Sequence, residues 1–404
     1  MTDDLHRGTM VNDRFELREP VDTGGLATVW RAMDVETKTP VAVKCERDER
    51  HDPEQVRAHF LAELRWFRRL TAGPTPGSLV YFVEGSVSNG TYYLVTEFVD
   101  GGSVADAIPD PVAPSHTAFE ELGWPICRAV EFLHRNDICH LDVKPGNVLR
   151  RTDGSPALID LNSAVSAEEG TKTLFHHDPY KAPEVTPTDA RERPVGPWTD
   201  VYALGVYLTY LYTGEAPTFE ADDPAAWEPV DPTTYGADCP DELAAILRRA
   251  TAPDPDDRFP HAGAFNAAIY DRSTGDHQSL LLTDEATGQR IRVSSGATLG
   301  RWAEDGPIPS VVLPDPDRYL SGIHGAVGYA DGHWRYVDRS VNGTYVHTAG
   351  DWRYVASADG VATRRAARES LPTPDPPESV ALSNGDRLSP VSPEYGCTLR
   401  VRTE

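Results

Sequence analysis

Apolar and polar positions follow two different periods along this chain, and the change falls near residue 271. Ahead of it, Phe60, Leu61, Leu64 and Phe67 predict a helix over 53–70, and similar three-to-four-residue spacing predicts helices over 117–135, 199–212 and 241–250. Short strands precede the first helix. Val21-Asp22-Thr23-Gly24-Gly25-Leu26-Ala27-Thr28-Val29 reads as strand, glycine turn, strand, and Pro40-Val41-Ala42-Val43-Lys44 as a strand ending in a lysine. Asp271-Arg272-Ser273-Thr274-Gly275-Asp276 reads as a polar linker. Beyond it come short alternating runs, such as Gln289-Arg290-Ile291-Arg292-Val293, His333-Trp334-Arg335-Tyr336-Val337 and Cys397-Thr398-Leu399-Arg400-Val401, separated by Gly, Asp and Pro. That is the pattern of a β-sandwich. A length of 404 residues accommodates two domains, so the predicted class is α+β followed by all-β.

The densest chemistry lies in His140-Leu141-Asp142-Val143-Lys144-Pro145-Gly146-Asn147. A loop of this length folds an acid, a lysine and an amide onto one small volume. Phosphoryl transfer from ATP needs a carboxylate to orient the acceptor hydroxyl, an amide oxygen on a metal ion and a cation near the moving phosphate. Asp142, Asn147 and Lys144 fit those needs. The same octapeptide pattern also occurs in small-molecule phosphotransferases, so the remaining machinery must follow in order. It does: Lys44 on its strand, Glu63 inside the helix over 53–70, Ala157-Leu158-Ile159-Asp160 as an apolar strand ending in an acid, Ala182-Pro183-Glu184, and Asp200-Val201-Tyr202-Ala203-Leu204-Gly205.

On these motifs, residues 10–270 resemble a eukaryotic-type Ser/Thr protein kinase, and the resemblance implies a bilobal kinase fold that uses ATP and Mg²⁺ on protein substrates. It implies that Asp142 is the catalytic base with Lys144 beside it, and that Asn147 and Asp160 hold the metal. Lys44 would hold the α and β phosphates and pair with Glu63, with Gly24 and Val29 against the nucleotide. Thr96 would be the gatekeeper before a hinge at Glu97-Phe98-Val99, where Glu97 and Val99 meet the adenine. Glu184 and Arg258 would form a buried ion pair, and Asp200 would brace the catalytic loop.

Four departures from the family pattern carry expectations of their own. Asp22 and Ala27 stand where glycines are usual, and a carboxylate near phosphate oxygens lowers nucleotide affinity unless it points to solvent. Leu141 replaces the arginine that senses a phosphate on the activation loop, which argues against switching by loop phosphorylation. Asn162 stands at a glycine position, implying a stiffer turn or a left-handed residue. His176-His177-Asp178-Pro179 makes the acceptor-binding loop unusual.

In the second part, Gly300-Arg301, Ser321-Gly322-Ile323-His324, Asn342-Gly343-Thr344 and Asn384-Gly385-Asp386-Arg387-Leu388 resemble a forkhead-associated (FHA) domain over 279–404. The resemblance implies binding of phosphothreonine-containing protein partners, with Arg301 and Ser321 on the phosphate and Asn342 on the peptide backbone. Residues 347–380 exceed an ordinary sandwich loop and read as a partly ordered insertion near that face. Thr171 and Thr173, between Asp160 and Glu184, are candidate autophosphorylation sites.

Composition sets the background. The formal net charge is -25, and only Lys38, Lys44, Lys144, Lys172 and Lys181 among the 38 basic residues are lysines. Acid excess with lysine nearly absent resembles proteins of salt-loving archaea. It argues against nucleic acid and anionic membranes as partners. Cys45, Cys127, Cys139, Cys239 and Cys397 show no paired spacing for zinc or disulfides. The longest apolar stretch, 201–212, is too short to span a bilayer, so a cytoplasmic location is expected. Two functions follow: a Ser/Thr kinase with a phosphothreonine reader, or a pseudokinase adaptor whose second domain is the working part.

Overall fold

A computed structural model describes residues 5–23, 27–46, 53–88, 90–107, 116–167, 179–185, 194–217, 227–273, 278–303 and 306–404. The chain opens with β1 (Met10–Val11), β2 (Phe15–Thr23), β3 (Ala27–Asp34) and β4 (Thr39–Glu46), whose alternation buries Phe15, Leu17, Trp30, Ala32, Val41, Val43 and Cys45 in one cluster. The ladder between β2 and β3 slips at Leu17/Glu19 and again at Pro20/Asp22. Pro20 has no N–H to give, so a bulge there costs the sheet little. After α1 (Pro53–Thr71) come the two-residue β5 (Thr75–Pro76), then β6 (Phe82–Ser88) and β7 (Thr91–Glu97), completing an antiparallel sheet of order β1-β2-β3-β4-β7-β6.

Helix α1 buries Phe60, Leu64 and Phe67, at i, i+4 and i+7, under this sheet. Leu61 lies one position off that stripe and is 42% exposed, so it leaves the expected core.

The second lobe is helical. Short α2 (Val104–Ala107) and α3 (His116–Ala118) precede α4 (Trp124–Arg135), which α3 joins through a π-helical turn at Phe119–Gly123. Two small antiparallel pairs follow: β8 (Ile138–Cys139) with β11 (Val165–Ser166), and β9 (Val148–Arg150) with β10 (Pro156–Leu158). Then come α5 (Pro197–Thr213), α6 (Asp241–Ala250) and α7 (Ala262–Ser273). Residues 199–212 of α5 are buried on every side, which explains their uniform apolarity: this is the helix at the centre of the lobe. Among the described residues no helix is long and apolar enough to cross a membrane. Helix α7 runs to Ser273, into the stretch read from sequence as linker.

After residue 278 the described chain is built of strands, with one helix among them. One sheet runs β13-β12-β22-β21-β18-β19, from β12 (Ser279–Asp284), β13 (Arg290–Ser294), β18 (Thr344–Thr348), β19 (Asp351–Val355), β21 (Arg387–Pro390) and β22 (Leu399–Thr403). The other runs β20-β17-β16-β14-β15-β5, from β14 (Thr298–Gly300), β15 (Val311–Val312), β16 (Gly325–Ala330), β17 (His333–Asp338), β20 (Ser379–Leu382) and β5, contributed by the first lobe. The stretch 347–380 is not a loop. It holds the end of β18, β19, the helix α8 (Ala358–Ala366) capped by Ser357, and the start of β20. Two of its arginines are engaged too: Arg364 donates to the Tyr354 hydroxyl at 3.1 Å and Arg365 pairs with Asp375 at 3.0 Å.

Candidate active site

Strand β4 delivers Lys44 from the sheet, and α1 delivers Glu63 from below. The Lys44 ammonium lies 2.9 Å from the Glu63 carboxylate and 3.2 Å from that of Asp160. Burial alone would lower the Lys44 pKa, but the two carboxylates outweigh it and hold the ammonium above its ordinary range. Burial raises the Glu63 carboxyl against the pull of Lys44. At Asp160 the same ammonium, with the Asn162 N–H, overcomes burial and keeps the carboxyl below its ordinary range.

The catalytic-loop segment is held from beneath by one buried acid. Asp200, on α5, accepts the backbone N–H groups of His140 and Leu141, both at 2.7 Å, and meets His134 Nε2 at 2.8 Å. Leu141 is thereby fixed at φ 61°, a left-handed conformation that turns the next residue outward. Asp142 then meets Lys144 Nζ at 3.0 Å and accepts from Asn147 Nδ2 at 2.7 Å, while Lys181 Nζ stands 3.9 Å away. Asn147 also donates to the Asp142 carbonyl, and its own carbonyl accepts from Ile159 N at 2.9 Å, which brings the strand ending in Asp160 alongside. The left-handed residue of the Asp160-Leu161-Asn162 turn is Asp160 itself, at φ 67°, and not Asn162. Asn162 instead donates its N–H to the Asp160 carboxylate, which an asparagine does as well as a glycine.

The departures noted in the sequence have physical outcomes. Asp22 is solvent-exposed. Leu141, where a phosphate-sensing arginine is usual, is buried in an apolar cluster with Val185, Val195, Tyr202, Val206, Trp227 and Val230. Gly24, Thr171, Thr173 and the His176-His177-Asp178 run lie outside the described residues. Val29 is half-buried on β3, paired with Lys44 across the ladder.

The hinge holds a pair that sequence reasoning missed. Thr96 and Val99 flank Glu97, whose carboxylate is not directed at a ligand: it takes Arg151 Nε and Nη2 at 2.9 and 2.6 Å and the Tyr81 N–H at 2.8 Å. Arg151 follows β9 in the other lobe, so this buried fork bolts the lobes together at the hinge. Fifty-four residues separate the partners, and no local pattern joins them. Elsewhere in the second lobe Arg258 and Glu184 form a bidentate pair at 2.8 and 2.9 Å with both side chains fully buried.

Among the C-terminal sheets, Arg301, Ser321 and Asn342 converge on the loop 319–321. Arg301 Nε donates to the Leu320 carbonyl at 2.9 Å, Ser321 Oγ accepts from Val341 N at 3.4 Å, and Asn342 Nδ2 donates to the Tyr319 carbonyl at 2.8 Å. Gly300 permits the approach, since an added Cβ would run into the Gly322 carbonyl. Beneath them His324 is buried, facing Ser321 N with Nδ1 and the Gly343 carbonyl with Nε2. Beside them Tyr319, Tyr345, Tyr354 and Tyr395 line a cavity of about 330 Å³.

Residues 15–261 match the family model described as "Protein kinase domain". The serine/threonine-protein kinase PknB of Mycolicibacterium smegmatis is 30% identical over 320 residues, which is 74% of this chain and 49% of that protein. A probable serine/threonine-protein kinase of Clostridium acetobutylicum is 26% identical over 322 residues, 78% of this chain and 47% of its own length. PknB of Mycobacterium tuberculosis is 27% identical over 325 residues, 76% and 50%. The chain thus spans about half the length of the curated relatives it matches. The matched family model ends ahead of the β-sheets that follow residue 278.

Proposed function

The chain belongs to the serine/threonine protein kinase family, and from that premise we propose that it transfers the γ-phosphoryl group of ATP to serine or threonine hydroxyls of protein substrates. The observation that carries this reading is the completeness of two linked clusters: Lys44 with Glu63 and Asp160, and Asp142 with Lys144 and Asn147. Asp142 orients the acceptor hydroxyl and takes its proton as the new O–P bond forms and the bond to the ADP oxygen breaks. Lys144, already beside that carboxylate, neutralises charge on the moving group, and Lys44 holds the α and β phosphates. Thr96, Glu97 and Val99 would border the adenine, with Val29 toward the phosphates.

The donor set suits Mg²⁺. Asn147 spends its amide N–H groups on Asp142, which leaves its Oδ1 as a donor to a cation, and, against burial, Lys44 keeps the Asp160 carboxyl below its ordinary range: two hard oxygen donors that would hold the metal. Bound there, Mg²⁺ neutralises phosphate charge. The expected result is Mg²⁺-dependent labelling of serine or threonine in a generic protein substrate, abolished in Asp160→Asn. No labelling by native chain that binds nucleotide would favour the adaptor reading.

We assign the sandwich over 279–404 as an FHA-type phosphothreonine reader. The convergence of Arg301, Ser321 and Asn342 on one loop supports it. A labelled phosphothreonine peptide library should bind the native chain and lose binding in Arg301→Ala; equal binding of unphosphorylated peptides would sink the assignment.

A further inference from the structure

The sandwich does not hang from the kinase by a tether. It packs across the back of both lobes, and one apolar core runs without a break from Leu133, Val201 and Phe265 of the kinase to Leu280, Leu282, Val311 and Leu399 of the sandwich. Each sheet also has one edge closed by the kinase. Strand β5 adds to β15 through Val311↔Pro76 and Val312↔Thr75, and α4 covers the β13 edge, where Arg128 donates to Ser294 Oγ at 2.9 Å and to the Arg292 carbonyl at 2.7 Å. Open edges of this kind are what β-proteins otherwise guard against.

The grip reaches the helix that carries Glu63. Gln289 Nε2 donates to the carbonyls of Arg69 and Leu70, at 3.2 and 2.8 Å, the latter also taking the Gly73 N–H at 3.4 Å, so a sandwich side chain caps terminal carbonyls of α1. The next residue, Arg290, holds the other lobe: its N–H and carbonyl pair with the Asn136 amide at the end of α4, at 3.3 Å each. Two consecutive residues therefore clasp two lobes. At the hinge Trp302 stacks on Tyr81 with ring centroids 4.5 Å apart and planes 2° from parallel, and Tyr81 is hydrogen-bonded to Glu97 through both its N–H and its carbonyl. Trp302 follows Arg301, so the docking face and the candidate phosphate site share a loop.

From this geometry we propose that the sandwich is a built-in activating clamp: by capping α1 and bridging the lobes it holds Glu63 against Lys44. The clamp rests on the kinase reading only for its consequence in catalysis. Its structural half is testable without turnover.

The test uses the full chain with Gln289→Met, which removes the donor, and Gln289→Glu, which aims a carboxylate at two carbonyls on the negative end of the helix. Hydrogen exchange over residues 64–71 and the KM for ATP are read together. Losing two hydrogen bonds of ordinary strength should speed exchange there about tenfold in Gln289→Met, and further in Gln289→Glu, with KM rising in the same order. Gly77→Val attacks the clamp from the kinase side, because its Cβ would run into the Pro309 carbonyl, and should give the same loosening of α1. Exchange and KM unchanged in both Gln289→Glu and Gly77→Val would overturn the clamp. A native chain that transfers no phosphoryl group, yet loosens in α1 on substitution, would instead overturn the kinase reading and leave the clamp standing.

Discussion

The buried pair of Arg258 and Glu184 invites a quantitative test because both side chains are wholly out of solvent and their other partners are unequal. Arg258 gives two bonds to Glu184 and also donates to the carbonyls of Ala252 at 2.6 Å, Pro253 at 3.0 Å and Trp198 at 3.3 Å. Glu184 has, besides the guanidinium, the Thr199 hydroxyl at 2.8 Å. Arg258→Met therefore leaves a buried carboxylate with one hydroxyl, a loss of about 3–5 kcal/mol. Glu184→Gln leaves a guanidinium still facing its three carbonyls and able to donate to the amide oxygen, so the loss is nearer one charged hydrogen bond, about 1.5–3 kcal/mol. At about 2–4 °C per kcal/mol for a domain of this size, Arg258→Met should melt some 6–20 °C below the native chain. The double variant that combines Arg258→Met with Glu184→Gln should cost less than the sum of the single losses, because no uncompensated charge is left. Tryptophan-fluorescence unfolding in urea and by heat measures all of these. Equal losses for the two single variants, or strict additivity, would refute the reasoning from unequal partners.

Three further outcomes follow. Lys44→Met removes the group paired with both Glu63 and Asp160; phosphotransfer should fall by about 10²–10³, as for loss of a preorganised charge, the melting temperature should also drop because the buried Glu63 carboxyl loses its cation, and retained turnover would contradict the role of Lys44. Burial lowers the His324 pKa below 6.5 against the pull of Asp338, so the unfolded chain takes up a proton the folded one refuses. Stability from this group is whole above pH 6.5 and declines as pH falls toward the folded value, by at most about 1.4 kcal/mol per unit; urea midpoints from pH 8 to 5 should show that slope reduced in His324→Gln, and identical slopes would count against it. Because Leu141 is sealed in an apolar pocket, phosphatase treatment of the purified chain should leave its rate unchanged, and a large loss would mean another cation reads the loop.

How much of this was legible in the sequence depends on how far apart the partners lie. The helices over 53–70, 199–212 and 241–250 were read within a residue or two, because each buries one stripe or is apolar throughout. Lys44, Glu63, Asp142, Asn147 and Asp160 stood out through their order, each on an element whose pattern was local. The link from Glu97 to Arg151 and the clasp by Gln289 were invisible, since Arg151 belongs to no motif and nothing in the strand pattern around Gln289 points to α1. Gly73-Pro74-Thr75-Pro76-Gly77 reads by every local rule as a turn, and two of its residues become a strand only because β15, over 230 residues later, offers an edge. The helix α8 escaped notice because its nine residues carry no apolar stripe; only Gly360 of it is buried, and Ser357 as cap was its one signal. Asn162 drew attention as the odd residue in its turn, while the backbone placed the unusual conformation two residues earlier, at Asp160.

The central claim rests on Asp142 as the base of a working kinase. The most direct measurement is transfer of label from γ-labelled ATP with Mg²⁺, in concentrated salt to suit the acid-rich surface, by the native chain and by Asp142→Asn, with nucleotide binding matched by thermal shift. The account predicts labelled serine or threonine from the native chain, and loss of nearly all transfer in the variant despite equal nucleotide binding. Equal transfer by both, or none from a native chain that binds ATP, would contradict it.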